Sequence, residues 1–247
     1  MSGHSKWATI KRAKGAKDAA RGKLFSRIIK EITIAARNGG GDPTGNPRLR
    51  LAVDKAKGSN MPADNIKRAI QRGTGELEGQ AFEEITYEGY GPGGTAFLVE
   101  VITDNRNRTV AEIRHLFSRN NGNLAETGAV GWKFDRRGVI SVAKDRSEDD
   151  MMMIALDAGA DDMETEDESF EIYTTPGDFD AVRTALEGQG ITISEAAIQM
   201  VPQNTTKVDG KEAEGVLRLY ESLEEHDDVQ NVYADFDIDA SVMESLG

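Results

Sequence analysis

The first third of the chain follows a helical pattern of apolar and polar positions. Apolar residues recur every three or four positions in GKLFSRIIKEITIAARNGGG, and this spacing predicts a helix with one buried face. Asn46 is a favoured N-cap for a second helix, and Pro47 fits its first position. This helix is predicted to end at Gly58. A third helix ends at Gly73. The pattern therefore predicts a small three-helix domain over residues 1–78.

After a glycine-rich and acidic linker, the period of the apolar positions changes to two, which is typical of strands. EEITYEGY and TAFLVEVITD are predicted to pair as a hairpin around the turn GYGPGG. RTVAEIRHLFSRNNG is predicted to be a helix that begins with a capping box at Thr109 and Glu112. AVGWKFD is predicted to be a further strand. A sandwich built from these elements alone lacks one helix and one strand.

The next segment repeats strands and helices in the order βαββαβ, which is the ferredoxin-like pattern. The last helix, GKEAEGVLRLYESLEEH, and the last strand, VQNVYADFDI, supply what the middle section lacks. We therefore predict an α+β multidomain fold, in which an N-terminal three-helix domain is followed by two ferredoxin-like α/β sandwich domains, one inserted in the other. The expected domains are residues 1–78, residues 79–136 plus 206–247, and the inserted residues 137–205.

Charge is strongly segregated along this chain of 247 residues with a net charge of −13. Residues 1–75 contain 17 Lys/Arg and 5 Asp/Glu, a net of +12, and the remaining residues carry a net of −25. Solubility requires only a net charge away from zero, with no reason to segregate it. The first thirty residues alone hold nine Lys/Arg against one acid. Segregation on this scale indicates an end that attracts polyanions and a remainder that repels them.

Phosphate backbones are the commonest polyanion partner, so we expect the N-terminal region to bind nucleic acid. Arg106 and Arg108 in DNRNRT form a second, weaker cluster, for which loop and cap chemistry is the simpler interpretation. Trp7 has two equal interpretations, stacking on a base or packing into the helical core. The candidate nucleic-acid-binding residues are His4, Lys6, Trp7, Lys11, Arg12, Lys14, Lys17, Arg21, Lys23, Arg27, Lys30, Arg106 and Arg108.

No catalytic pattern is recognised in the sequence, and we predict no enzyme, no metal and no cofactor. Cysteine is absent, which excludes thiol nucleophiles, disulfides and thiolate zinc sites. The histidines His4, His115 and His226 lack a paired-ligand spacing. The glycines of GYGPGG fit a dinucleotide fingerprint, but a strand follows them, so a hairpin turn is the better interpretation. The acidic runs SEDD and DDMETEDE lack the spacing of a calcium loop and are expected to be solvated.

The sequence predicts a cytoplasmic protein without a membrane partner. The most apolar run, TAFLVEVI, is short and contains Glu100. The stretch after Lys6 is polar, whereas a secretory signal has an apolar core behind its basic residues. The oligomeric state is left open.

The chain resembles the YebC family through a series of motifs in the same order along the chain. The motifs are GHSKW, RGKLF, GGGDPTGNPRLR, NMPADNIKRAI, YEGYGPGGTA, DNRNRT and DDVQNVY. The resemblance implies a helical N-terminal domain, two α/β domains and a cytoplasmic DNA-binding transcriptional regulator. It also implies an alternative, because a mitochondrial relative is a translational activator and bacterial members have been tied to ribosomes stalled on proline-rich peptides. The resemblance favours residues 3–7 as a functional tip of the protein, with Arg106 and Arg108 as a second candidate binding patch.

Three classes of function are therefore compared. The first is a regulator that binds nucleic acid. Its basic arm has many Lys and few Asn or Gln, which suits contact with the backbone of structured RNA, including ribosomal RNA, better than base readout in DNA. The second is a small-ligand sensor, which needs a pocket of convergent polar groups in the α/β domains. The third, an enzyme, is the least expected.

Overall fold

The computed structural model describes residue 7 and residues 17–166, 169–239 and 241–243. The helices, in chain order, are α1 (Lys17–Gly39), α2 (Pro47–Gly58), α3 (Ala63–Thr74), α4 (Arg106–Arg119), α5 (Glu148–Asp157), α6 (Phe179–Gly188) and α7 (Gly210–Glu224). The strands are β1 (Glu83–Tyr90), β2 (Ala96–Thr103), β3 (Asn123–Leu124), β4 (Phe134–Ala143), β5 (Asp162–Thr165), β6 (Ser169–Thr174), β7 (Ile193–Pro202), β8 (Thr206–Lys207), β9 (Val229–Ala234) and β10 (Phe236–Asp237). The predicted fold class is confirmed.

Helices α1, α2 and α3 pack into the N-terminal helical domain. The predicted N-cap of α2 is confirmed, since the Asn46 side chain accepts a hydrogen bond from the backbone N–H of Leu49 at 3.1 Å. The apolar stripe of α1 faces those of the other two helices and forms one core. A Cβ on Gly73 would overlap the carbonyl oxygen of Thr33, so glycine at this position permits the close approach of α3 to α1.

The middle sandwich is built from both ends of the remaining chain. Its sheet has the order β3-β1-β2-β9, with every pair antiparallel. The predicted hairpin is confirmed, because β1 and β2 pair along their whole length and the 3₁₀ turn Pro92–Gly94 joins them. Strand β9 pairs with β2, so it joins a sheet that begins more than a hundred residues earlier, and α7 packs on that sheet. Helices α4 and α7 bury one face of this sheet.

The inserted sandwich has the predicted order βαββαβ. Its sheet has the order β5-β6-β4-β7, and α5 and α6 cover it. Along α5, Met151 is buried in the core, whereas Met153 is 60% exposed. The two sandwiches meet at a small apolar junction, where Leu98 and Tyr233 of the middle sheet lie close to Phe134 and Met200.

AVGWKFD is not a strand of its own. Residues Gly131–Lys133 form a 3₁₀ turn, and β4 begins at Phe134 and belongs to the inserted sheet. The carboxylate of Glu88, which is buried, accepts hydrogen bonds from the backbone N–H groups of Gly128, Val130 and Gly131 at 2.6 to 2.7 Å. Burial alone would raise the pKa of Glu88, but these three donors outweigh it and lower the pKa. In a strand, these backbone N–H groups would donate to a neighbouring strand. Here the side chain of Glu88 accepts from all three.

The predicted capping box at Thr109 is also wrong. Helix α4 begins at Arg106, and the side chain of Asn105 caps it by accepting from the N–H of Arg108 at 3.1 Å. Thr109 lies one turn inside the helix, where its hydroxyl donates to the carboxylate of Asp228 at 2.7 Å and lies 3.1 Å from the carbonyl oxygen of Asn105. Two cap-forming residues stand close together in DNRNRT; Asn105 caps the helix, and Thr109 binds the buried Asp228 of the same sandwich.

The helical domain contacts both sandwiches. Arg48 of α2 forms ion pairs with Glu31 of α1 and with Glu84 of β1. Arg50 forms an ion pair with Asp180 of α6 at 2.7 Å. Within the described part of the chain, no helix combines the length and the apolar character that crossing a membrane requires.

Candidate nucleic-acid interface

Part of the predicted interface lies outside the described residues, namely His4, Lys6, Lys11, Arg12 and Lys14. For Lys17 the structure describes the helical backbone and not the side chain. The role of these residues in binding nucleic acid stays a prediction.

Trp7 is buried in the core of the middle sandwich. Its side chain is 1% exposed and belongs to the same apolar cluster as Phe97, Phe117 and Leu219. Burial agrees with the second of the two interpretations given above, but the core is that of a different domain from the one expected. Trp has a large apolar side chain, so its burial in this core contributes strongly to stability. Base stacking by Trp7 would require the ring to leave this core.

Three predicted cations of α1 lie on one helical face and point to the C-terminal end of α7. Lys23 donates to the carbonyl of Glu225 at 2.8 Å, and Arg27 donates to the carbonyl of Glu224. Lys30 donates to the carbonyl of Asp227 at 3.0 Å. Carbonyls at the end of a helix carry partial negative charge, and cations near them are stabilising. These three candidates therefore hold the helical domain on the middle sandwich.

Asp228 is the centre of this contact and is 4% exposed. Its Oδ1 accepts from Lys30 Nζ at 2.7 Å. Its Oδ2 accepts from Arg108 Nη2 at 2.6 Å and from the hydroxyls of Thr109 at 2.7 Å and Thr103 at 3.1 Å. The motifs DNRNRT and DDVQNVY, far apart in sequence, thus meet around one carboxylate. Burial would raise the pKa of Asp228, but the hydrogen bonds from Lys30, Arg108 and Thr109 outweigh it and hold that pKa well below its usual value.

The depressed pKa of Asp228 predicts how stability depends on pH. A carboxylate whose folded pKa lies below its unfolded pKa of about 3.9 contributes stability above that pH, and the contribution is lost as the pH falls towards the folded value. We expect Asp228→Asn to cost about 3 kcal/mol at pH 7, as expected for breaking a buried ion pair. The difference from the wild type should shrink between pH 5 and pH 2. Urea unfolding across this range measures it, and a difference that is independent of pH would contradict the assignment.

The two arginines of DNRNRT have different surroundings. Arg108 forms ion pairs with Asp228 and Asp104, and its backbone N–H completes the cap of α4. This agrees with the simpler interpretation, loop and cap chemistry. Arg106, at the first position of α4, is exposed and forms no ion pair with any acid in the described ranges.

Several cations that sequence reasoning did not select are exposed on the helical domain. Within the described residues, their side chains form no ion pair or hydrogen bond. They are Lys57 of α2 and Lys67, Arg68 and Arg72 of α3. The predicted candidate Arg21 is exposed as well and lies over the ring of Phe25 at 5.3 Å. These positions contribute to the net of +12 over residues 1–75, but their local charge density is lower than that of the first thirty residues.

A cleft of about 940 Å³ lies beside the α1 contact, between α1, α4 and the segment that follows α7. His226 lines it, accepting from the N–H of Asp228 at Nδ1 and lying 2.9 Å from Glu112 at Nε2. With Nδ1 as acceptor, the ring proton is on Nε2 and points to the carboxylate. His115, on α4, is exposed. Most charged groups of the cleft pair with one another, which leaves few for a small ligand.

Among the described residues, one trio of carboxylates is close enough to share an ion. The oxygens of Glu164, Glu166 and Glu171 lie within 4.8 Å of one another. The hydroxyl of Tyr173 donates to Glu171 at 2.9 Å and lies 3.1 Å from a carboxylate oxygen of Glu164. Burial raises the pKa of Glu171. Two of the trio belong to the DDMETEDE run expected to be solvated, and Glu171 adds a buried member on β6.

Comparisons with known proteins match the chain throughout. The family described as TACO1/YebC protein N-terminal domain matches residues 5–76, and the one described as TACO1/YebC second and third domain matches residues 82–236. Probable transcriptional regulatory proteins of Geobacter sp. strain M21 and Desulfotalea psychrophila are 57% and 59% identical, covering 100% of this chain and 100% and 99% of theirs. The crystal structure of a conserved hypothetical protein from Aquifex aeolicus is similar, with a TM-score of 0.82 and 48% identity, covering 90% of this chain and 92% of that one.

Proposed function

Because the chain belongs to the TACO1/YebC family, we propose that it is a non-enzymatic regulator of gene expression that binds nucleic acid through its N-terminal region. The observation that carries the proposal is the charge segregation, +12 over residues 1–75 against −25 over the rest. Cations that neutralise phosphates release condensed counterions, which drives binding at low salt. Several high-identity relatives are named probable transcriptional regulatory proteins, which supports a regulatory role.

The surface that we assign to the polymer combines two sets of cations. One is the N-terminal arm with Lys6, Lys11, Arg12 and Lys14. The other is the exposed, unpaired group on α2 and α3 described above. Both sets of cations belong to the basic region, residues 1–75, so the same polyanion is attracted to both. The acidic sandwiches are repelled by phosphate, and we propose that they orient the molecule and provide contacts to protein partners.

The polymer is either DNA or ribosomal RNA, and different observations favour each. The relatives are named probable transcriptional regulatory proteins, and regulation of transcription acts on DNA. The side chains favour RNA, because Lys and Arg hold phosphates without reading bases, and structured RNA is recognised through shape and backbone. The burial of Trp7 removes from the surface an aromatic ring that would have stacked on an unpaired base, which argues against single strands and leaves duplex DNA and structured RNA as the candidates.

Crosslinking in cells, followed by sequencing of the bound nucleic acid and proteomics, tests the proposal. Recovery of promoter DNA would assign the protein to transcription. Recovery of ribosomal RNA together with ribosomal proteins would assign it to translation. A variant with Lys6, Lys11, Arg12 and Lys14 changed to Glu is the matched control, and its recovery of either polymer should fall to background. Equal recovery by the variant and the wild type would contradict the proposed surface.

A further inference from the structure

The α1 cations in the domain contact bind oxygen acceptors, the same kind of atom that a phosphate backbone offers. Lys23, Arg27 and Lys30 are spaced by four and three residues, which places them on one face of the helix. Their acceptors are the carbonyls that end and follow α7, together with one oxygen of Asp228. The end of a helix is partly negative, and Asp228 is fully negative. The middle sandwich therefore presents to α1 several partly anionic carbonyl oxygens and one carboxylate.

Asp228 can release Lys30 without becoming a bare buried charge. Three of its donors belong to its own domain, namely Arg108 at 2.6 Å, Thr109 at 2.7 Å and Thr103 at 3.1 Å. Removing one partner of a buried pair is costly when the other charge is left alone. Here a counter-ion and two hydroxyl donors stay with the carboxylate when α1 leaves. The contact is thus built to separate at lower cost than an isolated ion pair.

Arg27 is poorly satisfied in the contact. Its guanidinium has five N–H donors, and its Nη2 donates to the carbonyl of Glu224. Its Nε is buried without an acceptor among the described residues. A buried donor without a partner is destabilising. A phosphate group accepts two hydrogen bonds from one guanidinium, so Arg27 gains by exchanging a carbonyl for a phosphate.

We propose that the Lys23–Arg27–Lys30 face of α1 is a second phosphate-binding surface, which residues 224–228 cover in this arrangement and which nucleic acid uncovers by displacing them. The inference rests on the proposed function and adds its regulation. In the closed arrangement, the polymer meets the arm and the exposed cations of α2 and α3. In the open one it also meets the three cations of α1, and the helical domain moves away from the middle sandwich.

A cross-link that holds α1 on the middle sandwich tests the proposal. The chain has no native cysteine, so a thiol reagent modifies only the cysteines that are introduced. Ser26→Cys and Glu225→Cys place one thiol on each side of the contact, both at exposed positions, and leave all three α1 cations intact. A flexible bis-maleimide joins them, and the same protein capped with N-ethylmaleimide is the control. The probes are a labelled 30-base-pair DNA duplex and a labelled ribosomal RNA hairpin.

We expect the cross-linked protein to bind at least one probe about tenfold more weakly than the capped protein. Loss of three phosphate contacts should also make the log–log salt slope shallower by about 2 to 3 units for the duplex. Equal affinities and slopes for the two proteins would overturn the proposal. If the capped protein and the wild type bind neither probe at low salt, the proposed function fails, and this inference fails with it.

Asp228→Asn is the complementary variant, because it weakens the closed arrangement and leaves the α1 cations in place. We expect the variant to bind nucleic acid about tenfold more tightly than the wild type. This is the gain expected if roughly one wild-type molecule in ten is in the open arrangement before binding. The control is Asp235→Asn, another buried carboxylate of the same sandwich, which pairs with Lys133 and forms no hydrogen bond or ion pair with α1 among the described residues. It should bind within about twofold of the wild type. Unchanged affinity for Asp228→Asn, or equal gains for both variants, would contradict the proposal.

Discussion

Changing Lys6, Lys11, Arg12 and Lys14 together to Glu is expected to weaken nucleic-acid binding by about 10³-fold at 0.1 M salt, since each lost phosphate contact removes a salt slope of about 0.9. The new carboxylates repel the polymer as well. The fold should survive, because long charged side chains are almost never fully buried. Fluorescence anisotropy with a labelled duplex and a labelled RNA hairpin measures the affinity, and circular dichroism measures the melting temperature.

The control for this variant carries the same change of charge on the acidic part of the chain. Lys144, Arg146, Lys207 and Lys211 are all exposed on the two sandwiches, and changing them to Glu shifts the net charge by the same amount. We expect this control to bind within about threefold of the wild type, because long-range repulsion between exposed charges is screened by salt. Similar losses in both variants would show that total charge, and not its position, governs binding. Melting of the arm variant would show that these cations hold the structure.

Trp7→Ala is expected to reduce the free energy of unfolding by about 3 to 5 kcal/mol, the usual cost of truncating a buried Trp. The ring is 1% exposed in the core of the middle sandwich, although it belongs to the sequence of the helical domain. Its removal leaves a cavity in the core that α4 and α7 help to form. Urea unfolding followed by far-UV circular dichroism measures the loss.

Trp132→Ala is the matched control for Trp7→Ala. Trp132 is the other Trp in the chain and is 67% exposed, so its truncation should cost about 0.5 to 1 kcal/mol. Trp7 alone should then report burial, with blue-shifted fluorescence in the Trp132→Phe protein. If Trp7→Ala leaves stability unchanged and weakens nucleic-acid binding, Trp7 is a base-stacking residue and its assignment to the core is wrong.

Local features of the fold were accessible from the sequence. The apolar stripe of α1, the cap at Asn46, and the hairpin of β1 and β2 each depend on neighbours a few residues away, and all three are confirmed. The errors occur where a distant group intervenes. Glu88 satisfies the backbone at 128–131, and Asp228 binds Thr109 inside α4. A one-dimensional pattern does not contain those partners.

The candidate interface shows the same limit. Sequence identified the cations of α1 by their density, but their acceptors lie about two hundred residues further along the chain. The pattern therefore could not separate cations that hold the domains together from cations left exposed. Lys57, Lys67 and Arg68 were missed for the opposite reason, because their local density is ordinary and only the structure shows them without partners in the described ranges. Residues of the acidic part of the chain, far from α1 in sequence, bind its cations, and the cations that they do not reach remain exposed.

The most direct measurement for the whole account is a salt titration of the unmodified protein against the duplex and the RNA hairpin. Five to eight phosphate contacts predict a log–log slope of about −4 to −7 for the duplex, with tight binding at low salt and steep loss towards physiological salt. Failure to bind either polymer at about 50 mM salt, or binding that is insensitive to salt, would contradict the claim that the basic end of this chain holds phosphates.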